Sequence, residues 1–328
     1  MTSNALRAAI GALPSLPILA SPTLVEPMLR LRDVLGGGPR LFIKRDDAIA
    51  FAFGGNKVRK LALVAARAQA DGADTLITAG GVQSNHARAT AAAAAKLGMR
   101  AILVANGAPP DRPTANALLD RLLGAEIVHV ASREERAPKM REIAGRVLAE
   151  GRRPFTIPIG ASTPLGAIGF VLAVAELVDQ IAPPDVIIHS TSSGGTQAGL
   201  VAGCRLLGLP TRIVGISADD SAASLQAAIV ALVDGVGRLL SDGSRTLQAG
   251  RLQPIVVDDS FVGDGYGIPT AASREAIELT ARTEAIFLDP TYTAKAMAAL
   301  IAYVRERRFP DEATILFWHT GGQVGLFA

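Results

Sequence analysis

The chain has 328 residues, 49 % of them hydrophobic, with 33 Lys and Arg against 30 Asp and Glu for a net charge of +3. That is enough apolar mass for a large core and more than one compact unit, and the scattered charges, without a basic run, argue against nucleic acid as a partner. The single cysteine, Cys204, excludes an intrachain disulfide and a cysteine metal cluster and fits a reducing cytoplasm. No His, Asp or Glu spacing suggests a metal site, and an anionic small ligand stays open.

No uncharged apolar run reaches the roughly 18 residues of a membrane span, so no membrane partner is expected. The nearest, Pro164 to Ala175, ends at Glu176. The N-terminal segment faintly echoes a signal peptide up to Ala20-Ser21, but Pro14 and Pro17 interrupt it.

Strands are predicted over Leu41–Lys44, Thr75–Ala79, Arg100–Val104, Glu126–Val130, Asp185–Ser190, Arg212–Ile216 and Thr314–Trp318. Helical periodicity covers Asn56–Ala70, Asn85–Leu97, Pro113–Leu123, Ala137–Glu150, Pro164–Ile181 and Thr196–Leu207. Strands alternating with helices point to an α/β protein with parallel sheets covered on both faces. A strand–turn–helix unit around residues 75–97 recurs around 185–207. The simplest division is one block of about 50–160 and a second of about 165–328, with the opening segment free to pack on either.

Four stretches could carry chemistry. In Phe53-Gly54-Gly55-Asn56-Lys57-Val58-Arg59-Lys60-Leu61, two glycines allow a sharp turn and Asn56 is a candidate N-cap. Lys57 then falls in the first helical turn, where the positive end of the dipole lowers an amine pKa, as a Schiff-base lysine requires. The chain has only six lysines, at 44, 57, 60, 96, 139 and 295. A solvated helix start with three cations is the plainer account.

Ser192-Ser193-Gly194-Gly195-Thr196-Gln197-Ala198-Gly199 follows an apolar strand and opens a helix. Free N–H groups, the dipole and the hydroxyls would converge on a phosphate. The spacing is neither GxGxxG nor GxxxxGK[ST], and a tight βα turn is the alternative. Gly80-Gly81-Val82-Gln83-Ser84-Asn85-His86 offers a hydroxyl, an amide and an imidazole, which could hold a carboxylate or make Ser84 a proton carrier. A Ser–His hydrolase is conceivable there, although no GxSxG elbow surrounds the serine, and Ser84 or Asn85 could simply cap a helix. Finally, Leu288-Asp289-Pro290-Thr291-Tyr292-Thr293, with Tyr266 upstream and His319-Thr320-Gly321-Gly322 downstream, could place tyrosines against a ring or form an ordinary turn. His129 and His189 fall on strands as core or edge residues.

Taken together and in this order, the motifs resemble the fold-type II pyridoxal 5′-phosphate (PLP) enzymes, in the branch holding 1-aminocyclopropane-1-carboxylate (ACC) deaminase and D-cysteine desulfhydrase. The resemblance runs from about Pro22 to the C-terminus and includes Lys44-Arg45-Asp46-Asp47. It implies a tryptophan synthase β-like fold of two open, twisted, mostly parallel α/β domains with the cofactor between them. The smaller domain would cover 51–163, and the larger 1–50 with 164–328. It further implies a homodimer acting on a small amino acid, in the cytoplasm that the lone cysteine suggests.

By the same resemblance Lys57 carries the Schiff base, and Ser193, Gly194, Gly195 and Thr196 hold the phosphate with Lys60. Asn85 lies near the ring oxygen, and Thr293 and Thr320 offer hydroxyls near the ring nitrogen. Ser84, Asn85, His86, Tyr266 and Tyr292 line the substrate, and Lys57, Ser84 or Tyr292 moves the α-proton. ACC deaminases typically have Gln, Glu and Leu where this chain has His86, Thr293 and Thr320, so it sides with the desulfhydrases. A neutral hydroxyl is a weaker electron sink than a carboxylate-supported nitrogen and suits a carbanion that quickly expels a β-substituent.

The expected reaction is α,β-elimination, D-cysteine giving pyruvate, sulfide and ammonia. L-Cysteate, D-serine and β-chloroalanine remain open as substrates, with ACC deaminase or cysteate sulfo-lyase activity, or a silent PLP-binding protein, as alternatives. Ala48-Ile49-Ala50, Ala62 and the ending after Gly322 depart from the branch and are expected to alter the pocket wall.

Overall fold

Strands form where valine- and isoleucine-rich runs are cut by turn residues. The computed structural model describes residues 1–241 and 254–328. A six-stranded sheet has the order β1 (Val25–Pro27), β2 (Arg40–Arg45), β10 (Thr314–His319), β7 (Val186–Thr191), β8 (Arg212–Ser217) and β9 (Val256–Asp258). Its β1–β2 pair is antiparallel and the other pairs are parallel. A four-stranded parallel sheet has the order β5 (Glu126–Val130), β4 (Arg100–Asn106), β3 (Thr75–Gly81) and β6 (Pro154–Thr156).

The helices are α1 (Ser3–Ile10), α2 (Leu29–Val34), α3 (Asn56–Ala70), α4 (Asn85–Leu97), α5 (Ala115–Leu122) and α6 (Arg136–Ala149). They continue with α7 (Pro164–Val178), α8 (Gly195–Leu207), α9 (Ala222–Leu240), α10 (Ala271–Glu284) and α11 (Thr293–Arg305). Each strand and helix expected from periodicity is present, Asn56–Ala70, Asn85–Leu97 and Glu126–Val130 with the expected bounds and the others with shifted ends; the helix expected to reach Ile181 stops at Val178. The three-residue edge strands β1, β6 and β9 are too short to show a period.

Apolar side chains cover both faces of each sheet, as parallel strands demand. On the large sheet, Leu316, Trp318 and Ile187 pack with α7 and α8, and Ile43, Ile315 and Phe317 pack with α11. On the small sheet, Leu76 and Leu103 pack with α3 and α4, and Ile77 and Val104 pack with Met140 and Ile143 of α6. The opening segment touches both sides. Leu6 and Ile10 of α1 join the cluster of α7, while Leu16 donates its N–H to the Ala62 carbonyl of α3 at 2.8 Å.

One apolar helix needs placing, and one expectation needs correction. Helix α9 is long and apolar enough to cross a membrane by length and composition, although Asp234 and Arg238 keep it from being an uncharged run. Its Leu225, Ile229, Val233 and Val236 sit in the core cluster of the large sheet. The departures at Ile49 and Ala62 do not touch the pocket wall. They pack with Ile18 and Val58 into an apolar cluster that seats the opening segment.

Candidate active site

The C-terminal ends of β3 and β7, followed by the N-termini of α4 and α8, face one cavity of about 460 Å³. Strand-to-helix crevices of this kind gather backbone N–H groups and positive helix ends, which favour anionic ligands. Helix α3 brings its own N-terminus and two lysines to the same space.

Lys57 reaches the cavity because two glycine turns meet backbone to backbone. Gly55 has φ 96°, and a Cβ there would lie 3.0 Å from the Thr320 carbonyl. A Cβ on Gly321 would lie 2.5 Å from the Gly55 Cα. The Asn56 N–H donates to the Thr320 carbonyl at 2.9 Å, so Lys57 and Thr320 become neighbouring walls. Gly55, not Asn56, is the N-cap of α3. The Asn56 side chain instead donates to the Thr196 hydroxyl at 2.9 Å and accepts from Lys57 Nζ at 3.1 Å. Burial, then the charge of Arg88, lowers the Lys57 pKa to about 8 against an opposing pull from Asp289.

Lys60, one turn further along α3, is 1 % exposed and donates to the Gly160 carbonyl at 3.1 Å. Among the described residues no carboxylate contacts it. Burial and the neighbouring Lys57 hold its pKa well below the ordinary lysine value. Beside it, Ser162 Oγ and Ser193 Oγ are 2.7 Å apart, and the Gly195 N–H donates to Ser162 Oγ at 3.2 Å. A Cβ on Gly195 would stand 2.6 Å from Ser162 Oγ and 3.0 Å from Lys60 Nζ, so only glycine keeps this cradle open. A buried cation, two hydroxyls and a helix N-terminus in one place fit a dianionic phosphate.

Ser84 caps α4, accepting from the Ala87 N–H at 3.2 Å, and still lines the cavity with Asn85 and His86. The cap and the pocket wall are one residue. Asn85 Oδ1 accepts from Asn116 at 2.9 Å, which fixes the amide. His86 does not pair with Ser84. Its Nε2 lies 2.8 Å from the Thr78 hydroxyl, whose own hydrogen goes to the Ile157 carbonyl at 2.8 Å, so Nε2 carries a proton and donates. Burial, then Lys57 and Lys60, pushes the His86 pKa well below 6.5, and the ring is neutral. A Ser–His hydrolytic pair is therefore absent at this site.

Asp289 shapes the opposite wall. Its carboxylate accepts from the N–H groups of Thr291, Tyr292 and Thr293 at 2.8–3.0 Å, a tight turn that starts α11 and aims Tyr292 at the cavity. The Tyr292 hydroxyl is hydrogen-bonded to that of Tyr266. Thr293 is turned away: its hydroxyl donates to Asp289 Oδ1 at 2.7 Å and it is absent from the cavity wall. Thr320 does line the cavity and shares a 2.8 Å hydrogen bond with Ser190.

The structure thus gathers Lys57, Lys60, Ser84, Asn85, His86, Ser193, Gly194, Thr196, Tyr266, Tyr292 and Thr320 around one space, with Gly195 in its floor and Thr293 outside. Sequence reasoning missed Asn56, Ser162, Ser190, Arg133 and Asp219. Asn56 had a local signal, its place before Lys57, but capping explained it equally well. Ser190 ends the predicted strand just before Ser192, where it reads as core, and Ser162, Arg133 and Asp219 come from turns with no motif around them.

Comparison with known proteins agrees with this chemistry. The family model for "Pyridoxal-phosphate dependent enzyme" matches residues 18–321. The D-cysteine desulfhydrase of Klebsiella pneumoniae (strain 342) is 40 % identical over 323 residues, 96 % of each chain. The crystal structure of an ACC deaminase homologue is 34 % identical with a TM-score of 0.90, covering 98 % of this chain and 96 % of that one. Threonine deaminase isoform 2 of Solanum lycopersicum, at 20 % identity, shares the fold with a TM-score of 0.65 over 98 % of this chain and 85 % of that one.

Proposed function

The chain belongs to the pyridoxal-phosphate dependent enzymes, and from that premise we propose that it is a carbon–sulfur lyase eliminating the β-substituent of a small amino acid, with D-cysteine the first candidate. The observation that carries this reading is the pair Lys57 and Lys60, sunk in one cavity with no carboxylate in contact among the described residues. When bound, pyridoxal phosphate draws electrons from the α-carbon of the amino acid and makes its proton acidic.

The chain's own residues do the rest. Lys57 supplies the attaching amine, part of it neutral near pH 8 and therefore nucleophilic. Lys60, Ser162, Ser193, Gly194, Gly195 and Thr196 would hold the phosphate at the N-terminus of α8. Ser84 and Asn85, at the N-terminus of α4, receive the substrate carboxylate. His86 contributes a neutral wall. Lys57 is the base for the α-proton, and Tyr292 delivers a proton to the departing group. Thr320, paired with Ser190, would offer the cofactor a neutral hydroxyl rather than a carboxylate, a weaker support for electron withdrawal that suits prompt loss of a β-substituent.

The test is a visible spectrum of the purified protein with pyridoxal phosphate, before and after D-cysteine, with pyruvate and sulfide assayed. The expected result is a band that changes on addition, equal amounts of both products, and loss of band and products in Lys57→Ala. A band without products redirects the substrate to L-cysteate, D-serine or β-chloroalanine. No band after added cofactor overturns the reading. The same proposal divides the chain into 51–163 and 1–50 with 164–328, and makes it a cytoplasmic homodimer, which sedimentation velocity tests for assembly.

A further inference from the structure

The turn between β5 and α6 crosses to the large sheet at one side chain. Arg133 forms an ion pair with Asp219, which follows β8, and its guanidinium carbon lies 4.8 Å from the centre of the Tyr266 ring. The rings of Tyr266 and Tyr292 meet edge to face at 5.7 Å, with their hydroxyls hydrogen-bonded. Arg133, Asp219 and both tyrosines line the cavity. Asp219 is itself held by its N–H, which donates to Ser217 Oγ at 3.1 Å.

We infer that Arg133 is a positioning residue that seats negative charge on Tyr266, so that the two tyrosines act as one proton store with Tyr292 as its outlet to the substrate. A cation over an aromatic face stabilises the ring's negative charge. Among the described residues no cation lies over the face of Tyr292. The better acid donates: Tyr266 Oη–H points to Tyr292 Oη, and the Tyr292 hydrogen is free to face the cavity. In the transfer the Tyr292 O–H bond breaks toward the departing group. The Tyr266 proton then moves to Tyr292, and the electron pair left behind stays on the Tyr266 oxygen near Arg133. A proton from solvent water, balanced by the one that Lys57 took from the α-carbon and later gives up, returns to Tyr266 and resets the pair. Among the described residues the charged groups closest in effect to the pair are Arg133, Arg136, Asp219 and Asp289, and Lys57, Glu134 and Asp220 line the same cavity. Burial first, and Asp289 and Asp219 with it, raises the Tyr266 pKa, while the Tyr292 hydrogen bond and Arg133 oppose the rise. Burial first, then Tyr266, pushes the half-buried Tyr292 well above 10.

This rests on the lyase reading for its role in turnover but not for its first test. The chain has three tyrosines, and the third, Tyr303, is hydrogen-bonded to Asp258 and raised by burial and that carboxylate, so an ultraviolet titration of phenol ionisation is simple to assign. The full chain without cofactor is titrated as wild type, Arg133→Met, Arg133→Lys and Tyr266→Phe. Tyr266→Phe should remove the lowest transition. Arg133→Met should move that transition up by roughly half a pH unit or more, and Arg133→Lys by less. An unmoved transition in Arg133→Met overturns the inference whatever the substrate proves to be. With a turned-over amino acid, Arg133→Met should lower kcat with little change in KM and shift the alkaline limb of the pH profile, with Arg133→Lys partly restoring both. A change confined to KM would make Arg133 a binding residue and also overturn it.

Discussion

Helix α3 buries cations on two sides and treats them in opposite ways. Arg59, 3 % exposed, donates to both oxygens of Asp46 at 2.8–3.0 Å, to Glu176 at 2.9 Å and to Thr23 at 2.9 Å. Asp46 also accepts from the Trp318 indole at 2.8 Å, and Lys44 donates to Glu176 at 2.5 Å. Every charge there has an opposite charge and further hydrogen bonds. One residue on, Lys60 is as deeply buried and has a carbonyl. A buried ion pair whose hydrogen bonds are complete holds a structure together; a buried cation left with a neutral acceptor is stored for an anion yet to arrive. The completed network ties α3 to β2, β10 and α7, and so fixes the position from which Lys57 and Lys60 face the cavity.

The contrast is broken most directly by replacing each cation with methionine. Arg59→Met leaves the carboxylate of Asp46 buried without its cation, and should lower folding stability by about 3–5 kcal/mol, read from urea unfolding. Lys60→Met should do the reverse in cofactor-free protein, raising stability by on the order of 1 kcal/mol, because an unpaired buried charge is removed. Its cost appears in cofactor binding, weakened roughly ten- to hundredfold by the lost charge-assisted hydrogen bonds. Equal destabilisation by both changes would erase the distinction between the two sides of the helix.

Acid sharpens it next. Burial alone would raise the Glu176 pKa, but hydrogen bonds and charge from Arg59, with Lys44, overcome this and hold it at about 2 against an ordinary 4.5. The folded value is depressed, so the stabilisation is fully present above pH 4.5 and drains away as pH falls through the interval down to about 2. Glu176→Gln should flatten the loss of stability across that window. A slope as steep as in wild type would place the acid sensitivity elsewhere.

How much of this was legible beforehand depended on distance along the chain. The alternation of strands and helices, and the loops at Gly54–Lys60, Gly80–His86 and Ser192–Gly199, stand in contiguous residues, so periodicity and turn chemistry expose them. Lys44-Arg45-Asp46-Asp47 was visible as a motif, but its meaning was not: the partners of Lys44 and Asp46 are Glu176, Arg59 and Trp318, up to 272 residues away. Thr293 and Thr320 looked equivalent as hydroxyls near a ring. Only the fold shows one spent on Asp289 and the other facing the cavity. Arg133 had no signal, since a lone arginine in a charged turn reads as solvated surface until Tyr266 is placed beneath it.

The smallest predicted effect lies at Asn56, on the cradle side of the contrast. Its amide is the polar partner of Lys57 Nζ and also holds Thr196 at the start of α8, so it couples the lysine to the phosphate cradle. Asn56→Ala removes both hydrogen bonds and should cost about 1 kcal/mol of stability. An acceptor favours the charged amine, so its loss should also move the Lys57 titration below its present value of about 8. The rate at which cofactor-free protein captures pyridoxal phosphate, followed against pH, reads that titration, because only the neutral amine attacks. A midpoint displaced to lower pH, with slower capture at the plateau from a loosened cradle, would show that an amide suffices to orient a lysine that no carboxylate is allowed to hold. An unmoved midpoint would mean that burial, Arg88 and Asp289 set the reactivity of Lys57 without Asn56.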